Sequence, residues 1–320
     1  MKTEKLHNFK IAVSIPYYNA SRHICDVVSK LPDYIDTVIV VDDKSPQVMD
    51  TNAISAAMNP KTKVVFLQND INLGVGGATK KGFQYAVDNN FDIVVKIDSD
   101  DQMDAQYLPQ LLKPLVKNHA EMAKGNRFRD LNALKSMPLT RRLGNLMLSF
   151  LTKIATGYWN NFDPNNGYIA IKTNTLREVD FSKLSNRYFF ETSLIAQLYF
   201  VKARIKDIAM PAIYADEKSS MHVWRMPVIF STSLVKVLIK RILKEYFLYD
   251  FNIASLYILT GLPLFLFGVV YGIYNWLYYS SHHILAPTGT IMLVTLSIIL
   301  GFQLLLQAIQ YDIINSPKPR

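Results

Sequence analysis

Over its first two thirds the chain alternates short apolar runs with longer stretches in which apolar positions recur at helical spacing. The runs predict strands at 11–16, 37–41, 64–67, 93–97 and 121–124, and the periodic stretches predict helices near 22–30, 76–89, 104–117 and 138–157. Such alternation implies an α/β domain with a mostly parallel sheet, whose ligands bind beyond the carboxyl ends of the strands. The first, second and fourth strands run directly into polar clusters: Pro16-Tyr17-Tyr18-Asn19, Asp42-Asp43-Lys44-Ser45 and Asp98-Ser99-Asp100-Asp101-Gln102. A site is expected where these clusters meet.

The last third reads differently. Positions 251–311 contain no Asp, Glu, Lys or Arg. Within them, 253–279 and 290–311 are each long enough to cross a hydrocarbon core of about 30 Å. Ser280-Ser281-His282-His283, with Pro287 and Gly289, forms the polar break between them. Lys236, Lys240, Arg241 and Lys244 precede the first span, Lys318 and Arg320 follow the second, and the connecting loop has neither Lys nor Arg. That asymmetry predicts two membrane spans with both termini in the cytoplasm. Just before them, at 234–247, the basic residues recur every four positions opposite Leu234, Leu238, Ile242 and Tyr246, the pattern of a basic helix lying in a membrane interface. The polar, charged first ten residues predict no signal peptide. The expected organisation is a cytoplasmic catalytic domain at 1–228, an interfacial helix at 229–250, and the two spans with a short tail at 251–320.

Composition sharpens this picture. Half of the 320 residues are apolar, the net charge is +9, and Cys25 is the only cysteine. One cysteine excludes an internal disulfide framework and Cys-cluster metal sites. The positive charge calls for an anionic partner, and the basic helix gives much of it a membrane explanation, so nucleic acid is not expected.

Asp98-Ser99-Asp100 carries the sharpest chemistry. Two carboxylates at i and i+2 at the end of a buried strand can share a divalent cation, and hard oxygens select Mg²⁺ or Mn²⁺; Gln102 could add a further contact. Such a cation would stabilise charge on a departing diphosphate. Gly74-Val75-Gly76-Gly77 lacks the timing of a dinucleotide fingerprint, because residues 69–73 intervene after the strand; it predicts a tight entry into a helix.

Seven motifs in order resemble family 2 glycosyltransferases of the GT-A (nucleotide-diphospho-sugar transferase) fold, in particular the membrane-anchored polyprenyl-phosphate enzymes of the dolichyl-phosphate mannose synthase kind. They are Ile15-Pro16-Tyr17-Tyr18-Asn19, Val40-Val41-Asp42-Asp43-Lys44-Ser45, Asn72-Leu73-Gly74, Asp98-Ser99-Asp100-Asp101-Gln102, Gly125-Asn126-Arg127-Phe128, Asp163-Pro164-Asn165-Asn166-Gly167-Tyr168 and Phe189-Phe190-Glu191. The resemblance spans roughly 11–220. It implies a nucleotide-sugar site in which Pro16, Tyr18 and Val41 line the base pocket, Asp43 binds base or ribose and Asn19 also contacts the nucleotide sugar. It further implies that Asp98, Asp100 and Gln102 hold the metal, that Ser99 gives a backbone contact and that Arg127 meets phosphate. Lys44 stands where the family often has Gly, and Ala20 where it has an acidic residue. The segment Asp216-Glu217-Lys218-Ser219-Ser220 matches the family's mobile loop only approximately.

The expected reaction is inverting transfer of a sugar from a nucleotide diphosphate sugar to a polyprenyl phosphate such as undecaprenyl phosphate, beside a membrane of bacterial inner-membrane type. The alternative is a membrane-bound transferase extending a lipid-linked saccharide or envelope polysaccharide at a sugar hydroxyl, which needs a carboxylate base. Asp163 and Glu191 are the candidates for that base, or else orient loops. Arg141 and Arg142 open a helical stripe of Leu143, Leu146, Met147, Phe150, Leu151 and Ile154. They could bind the acceptor phosphate while the stripe touches membrane lipid, or the helix could belong to the core. A non-catalytic scaffold is the third reading, and homo-oligomers are compatible with any of them.

Overall fold

The structure is a computed structural model that describes residues 6–129, 139–211 and 226–319. It divides into two compact units, Met1–Val235 with Pro317–Arg320, and Lys236–Ser316.

The first unit is built on a seven-stranded sheet. The strands are β1 (Ile11–Tyr17), β2 (Thr37–Asp42), β3 (Lys63–Gln68), β4 (Ile93–Lys96), β5 (Met122–Asn126), β6 (Ile169–Lys172) and β7 (Ile205–Ala209), in the order β3-β2-β1-β4-β6-β5-β7. All pairings are parallel except those of β6, which runs antiparallel to both β4 and β5. Every residue of β1, β2 and β4 is buried, as central strands covered on both faces must be. Alternate side chains feed two layers. Val13, Ile15, Val38, Val40 and Val95 pack beneath α1 (Ile24–Ser29), α2 (Thr51–Ala57) and α4 (Leu108–Val116). Ala12, Ile39, Val41 and Val94 pack beneath α3 (Val75–Asp88), α6 (Thr173–Arg177) and α7 (Phe190–Phe200).

The mostly parallel sheet agrees with the sequence expectation, and α2, β6, α6, α7 and β7 are elements it did not supply. The Gly-rich segment does enter a helix tightly. The helix begins at Val75, and the Gly77 N–H donates 2.9 Å to the Asn186 carbonyl. Helix α5 (Leu139–Thr156) follows its prediction, but its apolar stripe faces outward. Leu143, Met147 and Phe150 are 57–67% exposed, while Ser149, Thr152, Ala155 and Thr156, with Lys153, are the buried positions. The core-helix alternative for this stripe is therefore corrected: the face buried in the domain is the small, hydroxyl-bearing one.

In chain order, α8 (Met226–Leu243) is followed by a π-helical turn at Lys244–Tyr249, α9 (Ile253–Ser281) and α10 (Thr288–Ile314). Both α9 and α10 are long and apolar enough to cross a membrane. They pack through small residues: a Cβ on Gly301 would lie 2.5 Å from the Phe265 backbone nitrogen, so the two helices touch at backbone distance there. Arg241 departs from the expectation of a solvated basic face. It is 3% exposed and grips Asp312 of α10 through Nη1–Oδ1 (2.6 Å) and Nη2–Oδ2 (3.0 Å). The Tyr246 hydroxyl donates to the same carboxylate at 2.5 Å. With both side chains buried, each charge needs the other, because removing either would leave an uncompensated buried charge.

Candidate functional site

The chain after β4 turns sharply, with Asp101 at φ 59°, and this places Asp98, Asp100 and Gln102 on the wall of one cleft of about 140 Å³. Met103, Asp104, Tyr107, Arg127, Asn165, Asn166, Gly167, Tyr168, Met210 and Pro211 complete its lining. Asp98 and Asp100, with Asp104 just beyond them, and the Arg127 guanidinium thus line one space at the ends of β4 and β5. The Gln102 N–H donates to Asp100 Oδ1 at 3.1 Å, closing the turn that carries the pair.

Behind the cleft lies a buried cation. Lys96, the last residue of β4, is 1% exposed; its Nζ donates to Asp98 Oδ1 at 2.6 Å and lies 3.2 Å from Glu191 Oε1 on α7. Burial acts to lower the Lys96 pKa, but Asp98 and then Glu191 outweigh it and push it above the usual lysine value. Glu191 is raised, chiefly by its own burial, with Lys96 opposing. Asp98 Oδ2 accepts no hydrogen bond from the described residues and sits against Gly167: a Cβ there would lie 2.9 Å from it.

A second cluster aims Arg127. Arg127 Nε and Nη2 donate to Asp163 Oδ2 and Oδ1 at 2.8 and 2.7 Å, and the Arg127 backbone N–H adds 3.1 Å to Oδ2. Burial would raise the Asp163 carboxyl, but the hydrogen bonds and charge of Arg127 hold it below the ordinary carboxylate range. The Asp163 backbone is left-handed (φ 55°), and fully buried Lys124 fixes it by donating to the Phe162 and Asp163 carbonyls at 2.6 and 2.7 Å. Asp207 completes this floor by accepting from Asn126, Asn161 and the Phe162 N–H at 2.7–2.8 Å.

The other sequence candidates fall elsewhere. Asp43 is 3% exposed, and its carboxylate accepts from Asn69 Nδ2 and from the N–H groups of Leu73 and Gly74 at 2.6–2.9 Å, so it ties down the loop into α3. Pro16 and Val41 are buried strand residues; Tyr18 is exposed, and the Asn19 N–H donates to the Ser45 hydroxyl. None of these lines the cleft with Asp98, nor do Ser99, Asp163, Glu191 or Arg142. The Arg141 side chain and the Asp216–Ser220 loop lie outside the described residues. Lys44 adopts φ 61°, so the turn often made with glycine keeps its left-handed form around a lysine. Lys96, Asp104, Tyr107 and Asn166 were not anticipated. The signal for Lys96 was present, as one charge interrupting Ile93-Val94-Val95 just before Asp98.

The hard oxygen donors of Asp98 and Asp100 fit a small divalent cation that takes its remaining ligands from diphosphate and water. Among the described residues no group of three or more His, Cys, Asp or Glu forms an all-protein metal cage.

This sheet, with a carboxylate pair at the tip of β4, defines a GT-A-like sugar-nucleotide transferase fold. Glucosyl-3-phosphoglycerate synthase of Mycobacterium tuberculosis, solved with Mn²⁺, UDP and glucosyl-3-phosphoglycerate, superposes with a TM-score of 0.52 at 18% identity, covering 74% of this chain and 81% of that one. The sequence signature described as Glycosyl transferase family 2 matches residues 12–180, and the chain belongs to that family. Among its relatives is the UDP-N-acetylglucosamine–dolichyl-phosphate N-acetylglucosaminyltransferase of Methanococcus voltae, 30% identical over 222 residues, covering 64% of this chain and 86% of that protein. The undecaprenyl-phosphate mannosyltransferase of Micrococcus luteus is 27% identical over 203 residues, covering 62% of this chain and 82% of that protein.

Proposed function

We propose that the protein transfers a sugar from a nucleotide diphosphate sugar to a polyprenyl phosphate, with inversion, at the cytoplasmic face of a membrane that α9 and α10 anchor. One observation carries the choice of acceptor. Asp163 and Glu191, the carboxylates expected to serve as a base for a hydroxyl acceptor, are engaged by Arg127 and Lys96 and do not line the cleft. A phosphate acceptor brings an oxygen already ionised at neutral pH and asks for no base. Relatives named for dolichyl- and undecaprenyl-phosphate transfer support the same class.

In this mechanism the phosphate oxygen attacks the anomeric carbon from the face opposite the diphosphate. The new C–O bond forms as the bond to the diphosphate breaks, and no proton is removed. Asp98 and Asp100 would hold Mg²⁺ or Mn²⁺, which supplies charge stabilisation to the leaving diphosphate. Arg127, held in one orientation by Asp163, meets a phosphate with no reorganisation at the moment of reaction. The outward stripe of α5 suits contact with lipid, the basic residues before α9 independently suit anionic headgroups, and Arg141 and Arg142 would draw the acceptor phosphate toward α5. In the domain reading, residues 1–228 carry catalysis, 229–250 the interface and 251–320 the anchor.

The test is incubation of the purified protein with a panel of nucleotide sugars, Mg²⁺ or Mn²⁺ and undecaprenyl phosphate, followed by mass spectrometry of the lipid. The expected product is the lipid phosphate enlarged by one sugar. Transfer only to a saccharide hydroxyl would overturn the acceptor assignment.

A further inference from the structure

We propose that Lys96 sets the cation selectivity of the Asp98–Asp100 site: it takes one oxygen of Asp98 and leaves the other to be offered alone, which favours a small octahedral ion over Ca²⁺. The inference rests on the metal-assisted reading above and adds to it a positioning residue for the cation.

Three features make the grip of Lys96 firm. Its stem shares the β4 face of Val94, beneath α7, and its ammonium is sealed from solvent, with Asp98 Oδ1 at 2.6 Å and Glu191 Oε1 at 3.2 Å. Glu191 is itself only 7% exposed, so neither the cation nor its second carboxylate can swing into water. Gly167, on the cleft wall, backs directly onto both groups: a Cβ there would lie 2.5 Å from Nζ and 2.9 Å from Asp98 Oδ2. Asp98 is thus pinned with Oδ1 turned to lysine and Oδ2 turned to the wall of the cleft.

The consequence follows from coordination chemistry. Mg²⁺ demands near-ideal octahedral geometry, which the narrow bite of a bidentate carboxylate does not satisfy. Ca²⁺ is larger, accepts six to eight oxygens and readily takes a carboxylate through both. An Asp98 restricted to one oxygen serves the smaller ions and withholds a ligand from Ca²⁺. Removing the ammonium frees Oδ1 and lifts that restriction.

The test is Mn²⁺ binding followed by electron paramagnetic resonance on the full chain in detergent, with UDP or GDP present, and displacement by Ca²⁺ and by Mg²⁺. In wild type Mg²⁺ should compete better relative to Ca²⁺ than it does in Lys96→Met, where the Ca²⁺:Mg²⁺ affinity ratio should rise about tenfold. Loss of packing alone would weaken both ions in parallel and leave the ratio unmoved; that result overturns the inference. If Lys96→Met does not fold, Lys96→Gln, which keeps a polar side chain beside Glu191 but removes the ammonium from Asp98 Oδ1, should raise the same ratio, and an unchanged ratio overturns it equally. Absence of Mn²⁺ binding in wild type with either diphosphate, or undiminished binding in Asp98→Asn, would sink the metal reading itself. Binding that Asp98→Asn abolishes, with a ratio indifferent to Lys96, would sink only the inference.

Discussion

The Arg241–Asp312 cluster of the helical unit and the Lys96–Asp98 cluster of the sheet unit use the same interaction to different ends. In the helical unit, Arg241 and Asp312 pair through two parallel hydrogen bonds, and Tyr246 adds a third to the carboxylate. The Ser255 hydroxyl closes the knot by donating to the Tyr246 carbonyl, and the whole is inaccessible. In the sheet unit, Lys96 holds Asp98 through one oxygen and shares itself with Glu191, while Asp98 Oδ2 stands at the edge of a cleft. A closed pair satisfies its own charges and serves architecture. A pair with an oxygen left over is incomplete without a ligand, and that incompleteness marks the site.

The comparison predicts effects of different kind and size. Asp98→Asn and Asp100→Asn should each lower turnover about 10³-fold, a loss on the scale of removing a preorganised electrostatic contact, with the fold intact by circular dichroism. EDTA should mimic them, and Mg²⁺ or Mn²⁺ should restore wild type only. Retention of wild-type turnover in either variant would remove the distinction between the clusters. Asp312→Ala should do the reverse. It strands a buried guanidinium and should cost about 3–5 kcal/mol of stability, read as a lowered midpoint of thermal unfolding in detergent. Replacing Arg241 and Asp312 together by Met and Leu should recover most of that loss, because no charge is then left unpaired.

Asp163→Asn lies between these cases. It should leave Arg127 loosely held and lower turnover about 10²-fold through misplacement. It should also alter the acid limb of unfolding. The Asp163 pKa is depressed in the folded chain, so its contribution to stability is present above the ordinary carboxylate value near pH 4 and is lost as the pH falls through the lower folded value. The Asn variant should show a flatter stability curve across that window; identical acid limbs would contradict the Arg127–Asp163 account. The smallest effect is expected at Lys44, whose left-handed backbone glycine would adopt freely. Lys44→Gly should raise stability by about 1 kcal/mol, measured by denaturant unfolding.

What was legible in the sequence depended on whether local pattern or distant partners decide the outcome. Strands β1, β2 and β4 are buried on both faces, so unbroken apolar runs announced them, and the uncharged stretch at 251–311 did the same for the two long apolar helices. Helix α7 has apolar residues all round and therefore no helical stripe to read, and β6 is four residues whose antiparallel direction is set by its neighbours. The Asp98–Asp100 pair was visible because its two members lie only two positions apart in the chain. The fates of Asp43, Asp163, Glu191 and Arg241 were not, because their partners lie from 26 to 95 positions away. An acidic residue in a motif looks the same whether it ends in a cleft or beneath a loop, and only tertiary contacts separate the two.

The most direct test of the central claim is the linkage in the lipid product, determined by ³¹P and ¹H nuclear magnetic resonance after reaction with undecaprenyl phosphate. The account predicts one phosphorus in a diester joined to the anomeric carbon, with anomeric configuration opposite to the donor's. A glycosidic bond between two sugars, or a phosphodiester with the donor's configuration retained, would contradict it.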